Sequence, residues 1–235
     1  MKIKLILFLL PLFVFAQNDQ KSLIKKMTKE ISVNYVLQLP ENYNNLKQNW
    51  PLIVFLHGSG ERGNDLSKVS IHGPLKYINE GNKLDAIILA PQCPETEIWD
   101  NDVLYTLIEE VVYKNKVDIT RIYLTGLSMG GYGTWNLALD HPKLFAAVVP
   151  ICAPIMYNFT EKASKLKNNP IWVFHGGKDK VVPVSYSERM VDAIKKSGGN
   201  PKFTIYPDAG HDSWSIPYSD PNFYAWMLSQ ERKIN

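Results

Sequence analysis

The chain has 235 residues, of which 45% are apolar, and 26 basic against 23 acidic side chains leave a net charge of +3. That length is too short for two sizeable domains but long enough for one well-filled core. The near-balance of charge excludes the basic footprint of a nucleic-acid binder or of a protein drawn to an anionic membrane surface, and no repeat, low-complexity stretch or long linker is present.

The first residues read as a targeting segment. Met1-Lys2-Ile3-Lys4 is a short basic start, Leu5 to Phe15 is apolar, and Val14-Phe15-Ala16 supplies cleavage-site residues. The pattern predicts a signal peptide over residues 1–16, cleavage before Gln17, and an exported single domain over 17–235. The apolar run is shorter than the ~20 residues that span a bilayer, so no membrane span is expected. No cysteine follows the cleavage point, which argues against a lipid anchor. Ile31, Val33, Tyr35, Leu37 and Leu39 then alternate with polar residues, as in an edge strand with one wet face.

Ile53 to Leu56 is a buried-strand run that ends in His57-Gly58-Ser59-Gly60-Glu61-Arg62-Gly63. Ala86 to Ala90 is a second such run, and Val103, Leu104, Leu107, Ile108, Val111 and Val112 recur at helical spacing. Arg121 to Thr125 is a strand run that leads through Gly126-Leu127-Ser128-Met129-Gly130 into a helical run from Gly131 to Leu139. Strand runs follow at Ala146–Pro150, Pro170–Phe174 and Lys202–Tyr206. Ser185 with Glu188 predicts a capping box, Gly198-Gly199 a helix end, and Asp220-Pro221 an N-cap with the first helical residue. Strands joined by helices, with the chemically distinctive residues at strand C-terminal ends, predict a single-domain, mostly parallel, doubly wound α/β sheet.

Ser128 is the centre of the chemistry. Strand, G-x-S-x-G, helix is the context of a nucleophile elbow, in which a sharp turn lifts the serine hydroxyl clear of the sheet. Side chains two residues to either side would collide, hence Gly126 and Gly130, and the helix N-terminus that follows favours developing negative charge. Such a serine needs a base and an orienting acid, in the order Ser, Asp/Glu, His. Asp179 lies on the turn beyond the Pro170–Phe174 strand, and His211 lies on the Gly-preceded loop beyond Lys202–Tyr206. These are the candidate acid and base. Asp208 shares a loop with His211 and is the weaker acid. Asp212 directly follows His211, His141 reads as a helix cap, His72 is unassigned, and His175 reads as a buried strand-end residue. The glycine-rich turn after Leu56 allows close backbone approach, so the amides of Ser59 and Met129 are the candidate oxyanion donors.

Cys93 and Cys152 follow strands that are not neighbours in the expected order, which favours two free buried thiols over a bridge. No Cys/His spacing fits a zinc site, so no metal is expected.

The chain resembles α/β-hydrolases of the esterase group. More narrowly, it is similar to secreted bacterial esterases related to polyhydroxybutyrate depolymerases, to the feruloyl and acetylxylan esterases of carbohydrate esterase family 1, and to relatives labelled predicted peptidases. The matching words are Leu56 to Gly63, Ala90-Pro91-Gln92-Cys93-Pro94 with Trp99, Gly126 to Trp135, Trp172 to Asp179 with Val182-Pro183, and Gly210 to Trp214. The resemblance implies the same roles for Ser128, Asp179 and His211. It implies ester hydrolysis through an acyl-enzyme, without a cofactor. The connection from Ala153 to Asn169 is too short for a separate cap domain, so no large cap is expected. Trp99, Trp214 and Gln92 are candidate contacts for a small-molecule or polysaccharide ester, since flat aromatic faces suit sugar rings and aryl acids. Trp is also usually buried, and packing of both indoles on the core is the alternative. A serine peptidase of the prolyl-oligopeptidase type and a non-catalytic saccharide-binding module are the other functional readings, and the oligomeric state stays open.

Overall fold

The strand runs become β1 (Asn34–Gln38), β2 (Trp50–Leu56), β3 (Ile87–Gln92), β4 (Val117–Leu127), β5 (Ala147–Ile151), β6 (Trp172–Gly176) and β7 (Lys202–Tyr206). The helices are α1 (Gly73–Asn79), α2 (Asn101–Lys114), α3 (Met129–Asp140), α4 (Tyr157–Glu161), α5 (Ser185–Lys196), α6 (Ser215–Ser219) and α7 (Pro221–Leu228). The computed structural model describes residues 30–233, so the expected leader and its cleavage point lie outside the described residues.

The strands form one sheet in the order β1-β3-β2-β4-β5-β6-β7. Only β1 runs antiparallel, against β3, and the remaining pairs are parallel. Every residue of β2, β3 and β5 is buried, as expected for strands covered on both faces. Alternate residues of β2 serve two cores. Leu52, Val54 and Leu56 pack with Leu104 and Leu107 of α2, Trp135 of α3 and Met190 of α5. Ile53 and Phe55 pack with Leu75 of α1, Tyr218 of α6 and Phe223 and Met227 of α7. Helices therefore cover both faces, and the sheet is doubly wound. The connection from β5 to β6 carries only α4 and a 3-10 turn at Ala163–Leu166, so no cap domain is inserted there.

Local signals mostly reappear where the sequence puts them. Asp220 caps α7 by accepting from the Asn222 amide, with Pro221 as the first helical residue. His141 ends α3, and its ring stacks on Tyr105 at 4.1 Å. Ser185 departs from expectation. Val184 already has right-handed helical dihedrals, so the chain enters α5 one residue early, and Ser185 is its first helical residue with no side-chain cap. Cys93 and Cys152 are both free and buried, with β2 and β4 between the strands they follow.

One contact fixes how α3 meets the sheet. A Cβ on Gly130 would lie 1.9 Å from the Leu56 carbonyl oxygen, and one on Gly126 would lie 2.4 Å from the Gly130 carbonyl oxygen. Both are backbone atoms and cannot give way cheaply. Gly130→Ala must push α3 away from β2. We expect a loss of about 3 kcal/mol, read as a fall of about 6–12 °C in Tm for a chain of this size. A Tm within 2 °C of wild type in a thermal melt would contradict the contact.

Candidate active site

β4 ends at Leu127, and α3 begins at Met129. Between them Ser128 sits at φ 51°, ψ −116°, in the left-handed half of the map where a side chain is strained. Its amide donates to Ile151 O at 2.9 Å and its carbonyl accepts from the Tyr132 amide at 3.0 Å, so neighbouring strand and helix hold the turn. The hydroxyl is thereby delivered to the C-terminal edge of the sheet.

There it meets His211, whose Nε2 lies 2.9 Å from Ser128 Oγ. His211 Nδ1 lies 2.7 Å from Asp179 Oδ2. A carboxylate can only accept, so Nδ1 carries the proton and Nε2 is left to accept from the serine hydroxyl. The three residues come from the turns after β4, β6 and β7. The last two turns are stitched together, because Gly177 N donates to Tyr206 O at 2.8 Å and Lys178 N to Ala209 O at 2.9 Å.

Asp179 divides its work between two oxygens. Oδ1 accepts from the amides of Val181 at 2.9 Å and Val182 at 2.8 Å, as in a turn-capping aspartate. Oδ2 faces His211. Burial works to raise its pKa, but the His211 bond and the two amides outweigh it and hold the carboxyl below its ordinary range. The rival, Asp208, is almost fully exposed and pairs with Lys178 at 2.7 Å, away from the histidine.

The loop after β2 supplies the next groups. Ser59 opens a 3-10 turn over Ser59–Glu61, and Met129 is the first residue of α3. Amides in a first turn have no acceptor inside their own helix. Leu56 pairs with Gly126 across β2 and β4, so the two turns leave the sheet side by side. The Gly58 amide is already bound to Glu61 Oε2 at 2.8 Å, which leaves the Ser59 amide as the next one available on that loop. Glu61 was not singled out by sequence reasoning, although its position three residues after Gly58 is the spacing at which a side chain can reach back to an amide.

His57 anchors the same loop from below. Its Nε2 accepts from Cys93 N at 3.0 Å and its Nδ1 lies 2.6 Å from Gly58 O, so Nδ1 carries the proton. Burial pulls its pKa down to about 4. Two expected substrate contacts belong to this buried layer instead. Trp99 is 5% exposed, lies against the His57 ring at 4.7 Å and donates Nε1–H to His57 O at 3.2 Å. Gln92 is buried, and its Nε2 donates to Glu61 O at 2.8 Å and Asp65 O at 2.7 Å. Both hold the loop in place and present no face to a substrate.

Trp214 is half-buried beside the histidine, its ring 5.2 Å from that of His211 at 87° and 5.6 Å from that of His72. With His72, Lys76, Tyr77, Glu80 and Tyr218 it lines a cavity of about 210 Å³. His72 caps α1 and its Nε2 is 3.7 Å from Glu61 Oε1. Among the described residues, Cys152 Sγ and single ligand atoms of Asp179 and His211 lie within 4.8 Å of one another. These groups already bond to Ser213, Val182 and Ser128, and burial pushes the Cys152 thiol up to about 11, so the cluster does not offer a prepared thiolate.

A serine on a strained strand-to-helix turn, bonded to a histidine that is bonded to a buried aspartate at the edge of a doubly wound sheet, defines an α/β-hydrolase site. Residues 91–218 match the phospholipase/carboxylesterase family of α/β-hydrolases, and the chain belongs to that family. Curated relatives include proteins named "Putative carboxymethylenebutenolidase". That of Methylorubrum extorquens is 33% identical over 103 residues, 41% of this chain and 35% of its own. That of Escherichia coli is 31% identical over 137 residues, 55% of this chain and 50% of its own. The chain thus spans half or less of the length of these relatives. The crystal structure of a thermostable esterase superimposes with a TM-score of 0.72 at 32% identity, covering 85% of this chain and 60% of that one. A ferulic acid esterase superimposes with a TM-score of 0.67 at 17% identity, covering 83% and 91%, a likeness of fold.

The buried histidines make a prediction about acid. His57, His72 and His175 all have lowered pKa values, chiefly through burial. Below about pH 6.5 the unfolded chain takes up protons that the folded chain refuses. Stability is therefore full above that value and falls as pH drops toward the folded pKa. For His57 alone the interval from 6.5 to about 4 corresponds to roughly 3 kcal/mol. The urea midpoint should drop steadily between pH 6.5 and 4.5, and less steeply in His57→Asn. A flat wild-type profile would mean that these imidazoles are not buried neutral.

Proposed function

We propose that this chain is a serine carboxylic-ester hydrolase that works through an acyl-enzyme. The observation that carries the reading is the continuous pair of bonds from Ser128 Oγ to His211 Nε2 and from His211 Nδ1 to Asp179 Oδ2. In this reaction His211 takes the hydroxyl proton as Ser128 attacks the ester carbonyl. The amides of Met129 and Ser59 receive the oxyanion, aided by the N-terminus of α3. His211 then passes its proton to the leaving alcohol, and a water repeats the cycle to free the acid. Asp179 keeps the imidazole in the useful tautomer and stabilises the imidazolium. Membership of the carboxylesterase family supports ester over amide.

For the substrate we favour short or aryl acyl esters of plant-type saccharides. The support is the uncapped sheet edge, the half-buried indole of Trp214 beside His211, and the cavity it shares with His72, Lys76, Tyr77, Glu80 and Tyr218. A lining of aromatic faces and charged hydrogen-bonding groups matches a hydroxylated ring better than an acyl tail. Trp99 plays no part in this reading.

Ser128→Ala should abolish hydrolysis of p-nitrophenyl acetate with an unchanged melting curve, a loss of roughly 10⁴- to 10⁶-fold. Activity within tenfold of wild type would remove the serine from its role. Asp179→Asn should lower kcat roughly 10²- to 10⁴-fold, whereas Asp208→Asn stays near wild type. The opposite ranking would make Asp208 the acid. On the substrate side, kcat/KM for acetylated or feruloylated oligosaccharide should exceed that for a triglyceride emulsion. Trp214→Ala should raise KM for the oligosaccharide ester about tenfold. A preference for the emulsion sinks the saccharide reading while leaving the esterase intact.

A further inference from the structure

His175 is a fully buried imidazole that the reaction above does not use. It lies in β6, four residues before Asp179. Its Nδ1 is 2.7 Å from Ser187 Oγ of α5, and its Nε2 is 2.8 Å from Val182 O and 3.2 Å from Asp179 Oδ2. A carbonyl and a carboxylate both only accept, so the proton must be on Nε2. Burial keeps the ring neutral. Nδ1 is then a bare lone pair, and the Ser187 hydroxyl must donate to it. The serine on α5 thus fixes Nε2 as the protonated nitrogen, which bonds to Val182 O and lies against the acid.

Asp179 consequently accepts from three N–H donors and has His175 Nε2 packed against it. Two amides hold Oδ1 and His211 Nδ1–H donates to Oδ2 at 2.7 Å, while His175 Nε2 lies 3.2 Å from Oδ2 with its proton bonded to Val182 O, one of the two residues whose amides hold Oδ1. Without His175, Oδ2 would be fixed on one side only, and the carboxylate could swing about the hinge made by its bonds to Val181 and Val182.

We propose that His175, oriented by Ser187, is a positioning residue that holds Asp179 Oδ2 in line with His211 Nδ1. The chain Ser187–His175–Asp179–His211–Ser128 then ties the nucleophile to the far side of the sheet's C-terminal edge through α5. The proposal rests on Asp179 being the acid of the triad. Its mechanical part, that His175 sets the Asp179–His211 bond, can be read without turnover.

The test pairs kinetics on p-nitrophenyl acetate with the proton NMR signal of His211 Nδ1–H, which a short bond to a carboxylate moves far downfield. His175→Leu removes the bond to Val182 O and the polar contact with Asp179 Oδ2. It should lower kcat about 10- to 100-fold with KM within about twofold, and shift the downfield signal. His175→Gln, which returns an N–H near the Nε2 position, should recover most of both. A role confined to fold stability would lower Tm and leave the signal of the folded molecules in place. A folded His175→Leu with kcat within twofold of wild type and an unmoved signal overturns the proposal, as does a wild type that shows no such signal. Should His175→Leu fail to fold, Ser187→Ala decides. A roughly threefold fall in kcat with a shifted signal supports the proposal, and no change in either overturns it. If wild type hydrolyses no ester, the functional reading falls, and the signal in His175→Leu against wild type still decides the positioning.

Discussion

The approach of the Gly130 α carbon to the Leu56 carbonyl is the constraint on which the site depends. It allows α3 to start directly above the end of β2, which no side chain would permit. Once α3 is there, β4 has one residue, Ser128, in which to turn from strand to helix. That residue must accept φ 51°. The strain, about 1–3 kcal/mol for a residue of this kind, is offset by the bonds to Ile151 O and from Tyr132 N and by the burial of the flanking turns. Strain, hydroxyl placement and the two candidate oxyanion amides are consequences of a single close packing.

The electrostatics are arranged so that one group changes charge. Asp179 is held ionised by its donors, and burial holds His57, His72 and His175 neutral. Cys152 and Cys93 are kept as thiols by the same burial, each pushed up to about 11. In the proposed reaction the serine proton therefore has one acceptor, His211, and one counter-charge, Asp179. Glu61, a carboxylate on the loop after β2, has Oε2 taken up by the Gly58 amide and Oε1 turned to His72 at 3.7 Å.

What could be read from the sequence was what local sterics or chain order dictates. Gly126 and Gly130 bracket the serine because a backbone clash leaves no alternative, and the buried runs of β2, β3 and β5 follow from a sheet covered on both faces. Asp179 could be picked by its post-strand position, and its two oxygens divide between capping the turn and facing His211. What escaped was decided at long range. Trp99 is claimed by the His57 carbonyl 42 residues away, and Gln92 by carbonyls 31 and 27 residues away. No periodicity in the chain announces such partners. Ser185 lies inside the helix instead of capping it because Val184 already has helical dihedrals, so the chain turns into α5 before the serine. His175 and Glu61 were visible as residues, but their spacing from Asp179 and Gly58 has meaning only once the turns are known.

A division of labour follows from these scales. The candidate triad is carried by turns that leave the ends of β4, β6 and β7, and these are pinned by short backbone bonds such as Ser128 N to Ile151 O and Lys178 N to Ala209 O. The flanking surface is built from the five-residue α6, the seven-residue α1 and the loop that carries Trp214. Its charged members, Lys76 and Glu80, are half-exposed and pair with each other at 3.7 Å, an ion pair weak enough to yield to a competing polar group. Residues bound by sheet geometry are heavily constrained in type, so they announce themselves in a sequence. Residues that face a ligand are constrained by that ligand alone, and for that reason the chemistry of this site was easier to read than its substrate.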